Sequence, residues 1–124
     1  MAKVLVVDDS PTEMLRFREI LVKNGFEMFE ADNGEDGCAK AIEVMPDVVL
    51  MDIVMPEMNG FQATRKITRE PKTAHIPVVI VSTKNQETDR VWGKRQGAKE
   101  YLTKPINEEE LIRVIRSVMS VSAG

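Results

Sequence analysis

Four strand-like apolar runs end in residues that can do chemistry. Asp8-Asp9 follows Val4-Leu5-Val6-Val7, Asp52 follows Val48-Val49-Leu50-Met51, Ser82 follows Val78-Val79-Ile80-Val81, and Lys104 follows Tyr101-Leu102-Thr103. If the first and third runs are neighbours, Asp8, Asp9 and Asp52 share one crevice. Two like charges about 5 Å apart repel by roughly 3 kcal/mol at an effective dielectric near 20, so three acids there call for a cation. Carboxylate oxygens, a carbonyl and several waters suit Mg²⁺, which prefers octahedral oxygen ligation and keeps part of its hydration shell. A hydroxyl from Ser82 and an ammonium from Lys104 would meet the equatorial oxygens of a phosphoryl group in transfer, where charge spreads and positioned cations and donors are needed. Asp52 is the expected acceptor, and the helix start after Asn59-Gly60 is expected to add backbone donors. Each residue alone has a plainer reading. Asp8-Asp9 would cap a helix, Asp52 would be a chance acid before a turn, Ser82 a strand-end hydroxyl, and Lys104 a solvated charge before Pro105. The capping reading is weakened because Ser10 with Glu13 already forms a capping box.

For these strand ends to meet, the chain must build a parallel sheet. Apolar runs predict strands near 3–7, 26–30, 47–51, 77–82 and 99–103, alternating with helices near 11–23, 35–45, 60–69, 86–96 and 108–121. Five βα units in series imply a doubly wound sheet covered on both faces. With strand order 2-1-3-4-5, the first and third strands meet where the order reverses, and there the crevice opens beyond the strand ends. The inward stripes are expected to be Met14, Phe17, Leu21 and Val22; then Cys38, Ala41, Ile42 and Met45; then Phe61, Thr64, Ile67 and Thr68; and last Leu111, Val114, Ile115, Val118 and Met119. The helix between Asn85 and Gly97 carries few apolar residues, chiefly Val91 and Trp92, so burial at about 25 cal/mol per Å² has little surface to act on there. It is expected to be the most weakly held helix. The fifth strand, charged at its start, reads as an edge.

At 124 residues the chain has the size of one domain, and residues 1–124 read as a single unit without an output domain. A formal net charge of -3 gives no general drive towards nucleic acid or an anionic membrane. No run approaches membrane-spanning length and the start does not resemble a signal peptide, so a soluble cytoplasmic monomer is expected. The lone Cys38 reads as a small apolar filler.

Asp8-Asp9, Asp52 with Met55-Pro56 and Asn59-Gly60, Ser82-Thr83, Gly97-Ala98, Tyr101 and Lys104-Pro105 together resemble the receiver domains of two-component response regulators over essentially the whole chain. The resemblance implies a flavodoxin-like, CheY-like fold. It implies that Asp52 takes phosphate from a histidine kinase, that Asp9 and Asp52 ligate Mg²⁺ beside the Val54 carbonyl with Asp8 assisting, mainly through water, and that Ser82 and Lys104 bind the phosphoryl oxygens. It further implies a cis Lys104-Pro105 peptide and a switch in which Ser82 draws Tyr101 inward. Trp92, Lys94, Arg95 and Tyr101 then form a candidate face for a downstream protein, with ordinary packing as the alternative for Trp92. Residues 8–14, 59–65 and 89–98 are most similar to stand-alone receivers of type IV pilus twitching-motility systems, which would make the donor a chemotaxis-like kinase.

Two rivals remain. An aspartyl-phosphate phosphatase of the haloacid-dehalogenase type also places an aspartate after a strand but wants a second acid two residues on, where this chain has Val54. A phosphorylation-independent interaction module would use the same fold without the chemistry. Dinucleotide binding lacks a Gly-x-Gly-x-x-Gly after the first strand.

Overall fold

A computed structural model describes residues 1–123, with side chains described for 1–120. The elements alternate as β1 (Lys3–Val7), α1 (Pro11–Lys23), β2 (Glu27–Ala31), α2 (Gly34–Val44), β3 (Val48–Met51), α3 (Gly60–Arg69), β4 (Val78–Ser82), α4 (Glu87–Arg95), β5 (Glu100–Thr103) and α5 (Glu108–Ala123). All strand pairs are parallel, in the order β2-β1-β3-β4-β5, so the expected flavodoxin-like topology is the one found. The register does the positioning. Val7 lies opposite Met51, so Asp8 and Asp52 leave neighbouring strands at the same level. Ser82 lies opposite Thr103, which brings Lys104 alongside.

Side chains that alternate along the strands feed two large cores, with Ile80 and Tyr101 in a smaller third cluster beside Ile53 and Ala98. Val4, Val6, Leu50, Val79 and Val81 pack with Phe17 and Leu21 of α1 and Leu111 and Ile115 of α5. Leu5, Val7, Val49, Met51 and Val78 pack with Cys38 and Ala41 of α2 and Ala63 and Ile67 of α3. Burial on both faces explains why β1, β3 and β4 read as unbroken apolar runs. Of α4, only Gly93 is buried, in line with the weak anchoring its composition predicts. Its Cα sits so close to the sheet that a Cβ would lie 2.8 Å from Ile80 Cδ1.

Three residues of the expected stripes face outward: Val22, Ile42 and Met45 are exposed. In α1, Ile20 takes the inward place, because Val22 lies about 100° around the helix from the buried Leu21. In α2 the buried stripe is Gly34, Gly37, Cys38 and Ala41, small residues that let the helix lie against β1. A Cβ on Gly37 would come within 2.8 Å of Val7 Cγ2. Met45 is a left-handed cap at φ 52° beyond the last turn.

The caps also differ from expectation. α3 has the full reciprocal box between Asn59 and Gln62, whereas α1 has only half of one: the Glu13 N–H donates to Ser10 Oγ, and the Ser10 N–H donates to Asp8 Oδ1 at 2.9 Å. α5 repeats the half box, with the Glu110 N–H donating to Asn107 Oδ1. The Lys104-Pro105 peptide is cis, as the resemblance implies.

Gly60 is the closest approach near the site. A Cβ there would lie 1.9 Å from the Asp52 carbonyl oxygen and 2.7 Å from Ile53 Cα, both backbone atoms that cannot swing aside. Gly60→Ala is expected to lower unfolding stability by about 2–3 kcal/mol in urea, since relief requires moving the chain that carries Asp52. An unchanged urea midpoint would contradict this packing.

Candidate functional site

The carboxyl ends of β1, β3 and β5 bring Asp8, Asp52 and Lys104 into one buried cluster. Lys104 Nζ donates to Asp8 Oδ2 at 2.8 Å and stands 3.6 Å from Asp52 Oδ1, and the three side chains are at most a tenth exposed. Asp9 joins from the exposed side. Asp8, Asp9 and Asp52 each present a carboxylate oxygen within 4.8 Å of the others. Octahedral Mg²⁺ with oxygens at about 2.1 Å spans up to about 4.2 Å between opposite ligands, so this cluster matches the ion's size through direct or water-bridged ligation. The donor set is all oxygen, as a hard cation requires.

Electrostatics follow from burial. Removal from water pushes the Asp52 pKa up to about 6, opposed by Lys104 and reinforced by the Asp8 charge. Burial works against the Lys104 charge, yet the Asp8 hydrogen bond and the carboxylate charges outweigh it and hold the lysine above its ordinary value. One ammonium thus faces three acids, and the imbalance favours a further cation.

Ser82 is wholly buried, and its Oγ accepts the Lys84 N–H at 3.2 Å. The Tyr101 hydroxyl donates to the Lys84 carbonyl at 2.7 Å, so the serine and the tyrosine meet through one backbone unit. Tyr101 is only 5% exposed, and burial raises its pKa. It therefore belongs beneath the candidate partner face rather than on it, because its ring fills the space that Gly93 leaves between α4 and the sheet. Trp92, Lys94 and Arg95 are exposed, so of the two readings of Trp92 the packed one is not what the structure shows. Val54 lies two residues past Asp52 with its side chain exposed.

The start of α3 departs from expectation. The Gly60 N–H donates to the Ile53 carbonyl at 2.9 Å, and the Gln62 N–H is taken by Asn59 Oδ1. These donors close the loop after β3 instead of pointing at a ligand. Cys38 is buried, its Sγ 3.7 Å from the Ala63 carbonyl, and burial raises its pKa, as suits a filler. Two contributors escaped the sequence: the second duty of Asp8, which holds both Ser10 and Lys104, and the Arg90 guanidinium, 5.3 Å from the centre of the Tyr101 ring. Spacing gives no sign of either, since both depend on contacts between distant elements.

Comparison with known proteins agrees with the geometry. PilH of Pseudomonas aeruginosa is 58% identical over 120 residues, spanning 97% of this chain and 99% of PilH. The response regulator PleD of Caulobacter vibrioides is 37% identical over 117 residues, which cover 94% of this chain but 26% of that longer protein. Among solved structures, the Vibrio cholerae chemotaxis protein CheY4 superposes with a TM-score of 0.89 at 32% identity, covering 95% of this chain and 98% of CheY4. The model of the response regulator receiver domain matches residues 4–116, and the chain belongs to that family.

Proposed function

We infer that Asp52 is the phosphoacceptor of a Mg²⁺-dependent receiver. The carrying observation is the cluster itself: a buried carboxylate, an ammonium 3.6 Å away, and two further acids whose oxygens lie within 4.8 Å. In transfer from a histidine kinase, an Asp52 oxygen forms the new P–O bond as the P–N bond of the donor's phosphohistidine breaks, and the imidazole leaves with that electron pair. Lys104 and the Ser82 hydroxyl meet the phosphoryl oxygens, and Asp8 holds the Lys104 ammonium in place. Bound Mg²⁺, held by Asp8, Asp9, Asp52 and the Val54 carbonyl, would neutralise charge on those oxygens. The reading fits a signalling domain that assists its own phosphorylation and dephosphorylation.

The resemblance of residues 8–14, 59–65 and 89–98 to receivers of twitching-motility systems supports a place in control of type IV pilus twitching motility, with a chemotaxis-like kinase as donor. The exposed Trp92, Lys94 and Arg95 on α4 offer a downstream protein a face that the phosphorylated site could alter. No helix among the described residues is long and apolar enough to cross a membrane. Incubation with acetyl phosphate and Mg²⁺ should add one phosphoryl group, measured by mass, on a bond cleaved by hydroxylamine, and excess chelator should prevent it. Chelator-resistant labelling, or none under any condition, would sink the assignment. Phosphotransfer profiling against histidine kinases then tests the pathway.

A further inference from the structure

α4 contributes no buried side chain apart from the Gly93 position, and three contacts seat it. Thr68 Oγ1 of α3 donates to the Gln96 carbonyl at 2.8 Å, and Gly93 lies against Ile80 and the Tyr101 ring. The third is Arg90. Its Cζ is 5.3 Å from the Tyr101 ring centroid, within cation–π range, and its NH1 donates to the Tyr101 carbonyl at 3.3 Å. Among the described residues no salt bridge joins Arg90 to a carboxylate. Its charge is directed at the tyrosine, from a helix whose one buried position is Gly93.

The far side of the ring completes a connected path. The Tyr101 hydroxyl donates to the Lys84 carbonyl, and the Lys84 N–H donates to Ser82 Oγ. We propose that Arg90 is a positioning residue, a clasp that holds the Tyr101 ring between α4 and the sheet and thereby ties the seating of α4 to the backbone that holds the Ser82 hydroxyl. Gly93 is the other half of the clasp, since a side chain there would occupy the space of the ring, 3.2 Å from Tyr101 Cδ2. Releasing Arg90 frees the ring to leave, and the Lys84 carbonyl loses its donor. The clasp is a matter of contacts within the fold and goes beyond the phosphoacceptor reading; its test uses no phosphodonor.

Tyr101 is the only tyrosine in the chain, so 3-fluorotyrosine labelling gives one ¹⁹F resonance. In the full-length protein that resonance should show a small shift between H₂O and D₂O, as a buried ring does. Arg90→Ala should populate an exposed ring, giving a larger solvent isotope shift or a second resonance. It should also speed amide exchange at Lys84 on the order of five- to tenfold, matching loss of a cation–π contact and one hydrogen bond. Arg90→Lys, which keeps the cation but not the planar fork, should fall between, and Thr88→Ala, at an exposed position of α4, should match the unaltered protein. Arg90→Ala with an unchanged ring resonance overturns the clasp. An altered ring with unchanged Lys84 exchange overturns its link to Ser82. Equal effects from Thr88→Ala would show general loosening of α4 and overturn it as well.

Discussion

Asp52→Asn should lose phosphoryl uptake from acetyl phosphate by roughly two orders of magnitude or more and, in the same protein, become more stable at neutral pH. Both effects follow from where the carboxylate sits. Burial raises its pKa from 3.8 to about 6 even with Lys104 beside it. The folded state therefore binds the proton more tightly than the unfolded state, and ionised Asp52 opposes folding. The penalty is full above about pH 6, shrinks as the pH falls towards 3.8, and is absent below that. A displacement of about two pKa units corresponds to at most about 3 kcal/mol at neutral pH, and about a third of that remains at pH 4.5. Urea midpoints in chelator at pH 7.5 and 4.5 measure it: the advantage of the Asn variant should be large at the first and small at the second. Added Mg²⁺ should stabilise the unaltered protein more than the variant and narrow the difference, because a ligand stabilises the state that binds it. An advantage that does not vary with pH would show that repacking, not charge, is responsible.

The parts of this fold that were legible from residues are those set by local rules. The unbroken runs in β1, β3 and β4 announced two-sided burial, and because parallel strands end at one edge, the acids after Val7 and Met51 could be placed together. Ser10 before Glu13 and Asn59 before Gly60 marked the starts of α1 and α3 through local capping alone. What escaped depends on which side of a helix meets the sheet. An apolar count favoured Ile42 and Met45, but α2 turns its glycines and Cys38 inward because the space above Val7 admits nothing larger. The same holds at the site. That Asp52, Ser82 and Lys104 lie at strand ends was readable, whereas the engagement of the Gly60 N–H by Ile53 and of the Ser10 N–H by Asp8 came from loop paths with no periodic signature. Tyr101 entered as a switch candidate only through family resemblance, and its burial under Gly93 is a property of α4's close approach.

Lys104→Met should be the costliest change to stability in the site, and the loss should respond to the cation concentration. The ammonium is 8% exposed and donates to an Asp8 side chain that is 2% exposed, so methionine of similar length keeps the volume while leaving buried acids without their counter-charge. Removing one partner of a buried pair costs about 3–5 kcal/mol. The lysine pKa is raised despite burial, because the Asp8 hydrogen bond and the Asp52 charge outweigh desolvation. Its contribution is therefore fully present below the ordinary lysine value and fades only as the pH rises through the higher folded value, so neutral buffer reports it undiminished. Without Lys104 the main influence lowering the Asp52 pKa is gone, and that pKa should climb further. Acidification should then recover stability in the variant more steeply than in the unaltered protein. Mg²⁺ should do so as well, since no ammonium competes for the Asp8 carboxylate; its stabilising increment, read from urea midpoints with chelator and with excess Mg²⁺, should be larger in Lys104→Met. Phosphoryl uptake should nonetheless fall roughly tenfold or more, because a bound ion neutralises the acids but does not replace the donor proposed to meet the incoming oxygens. Stability rescued by Mg²⁺ with uptake still impaired separates the two duties of Lys104, whereas full rescue of both would reduce it to a counter-charge.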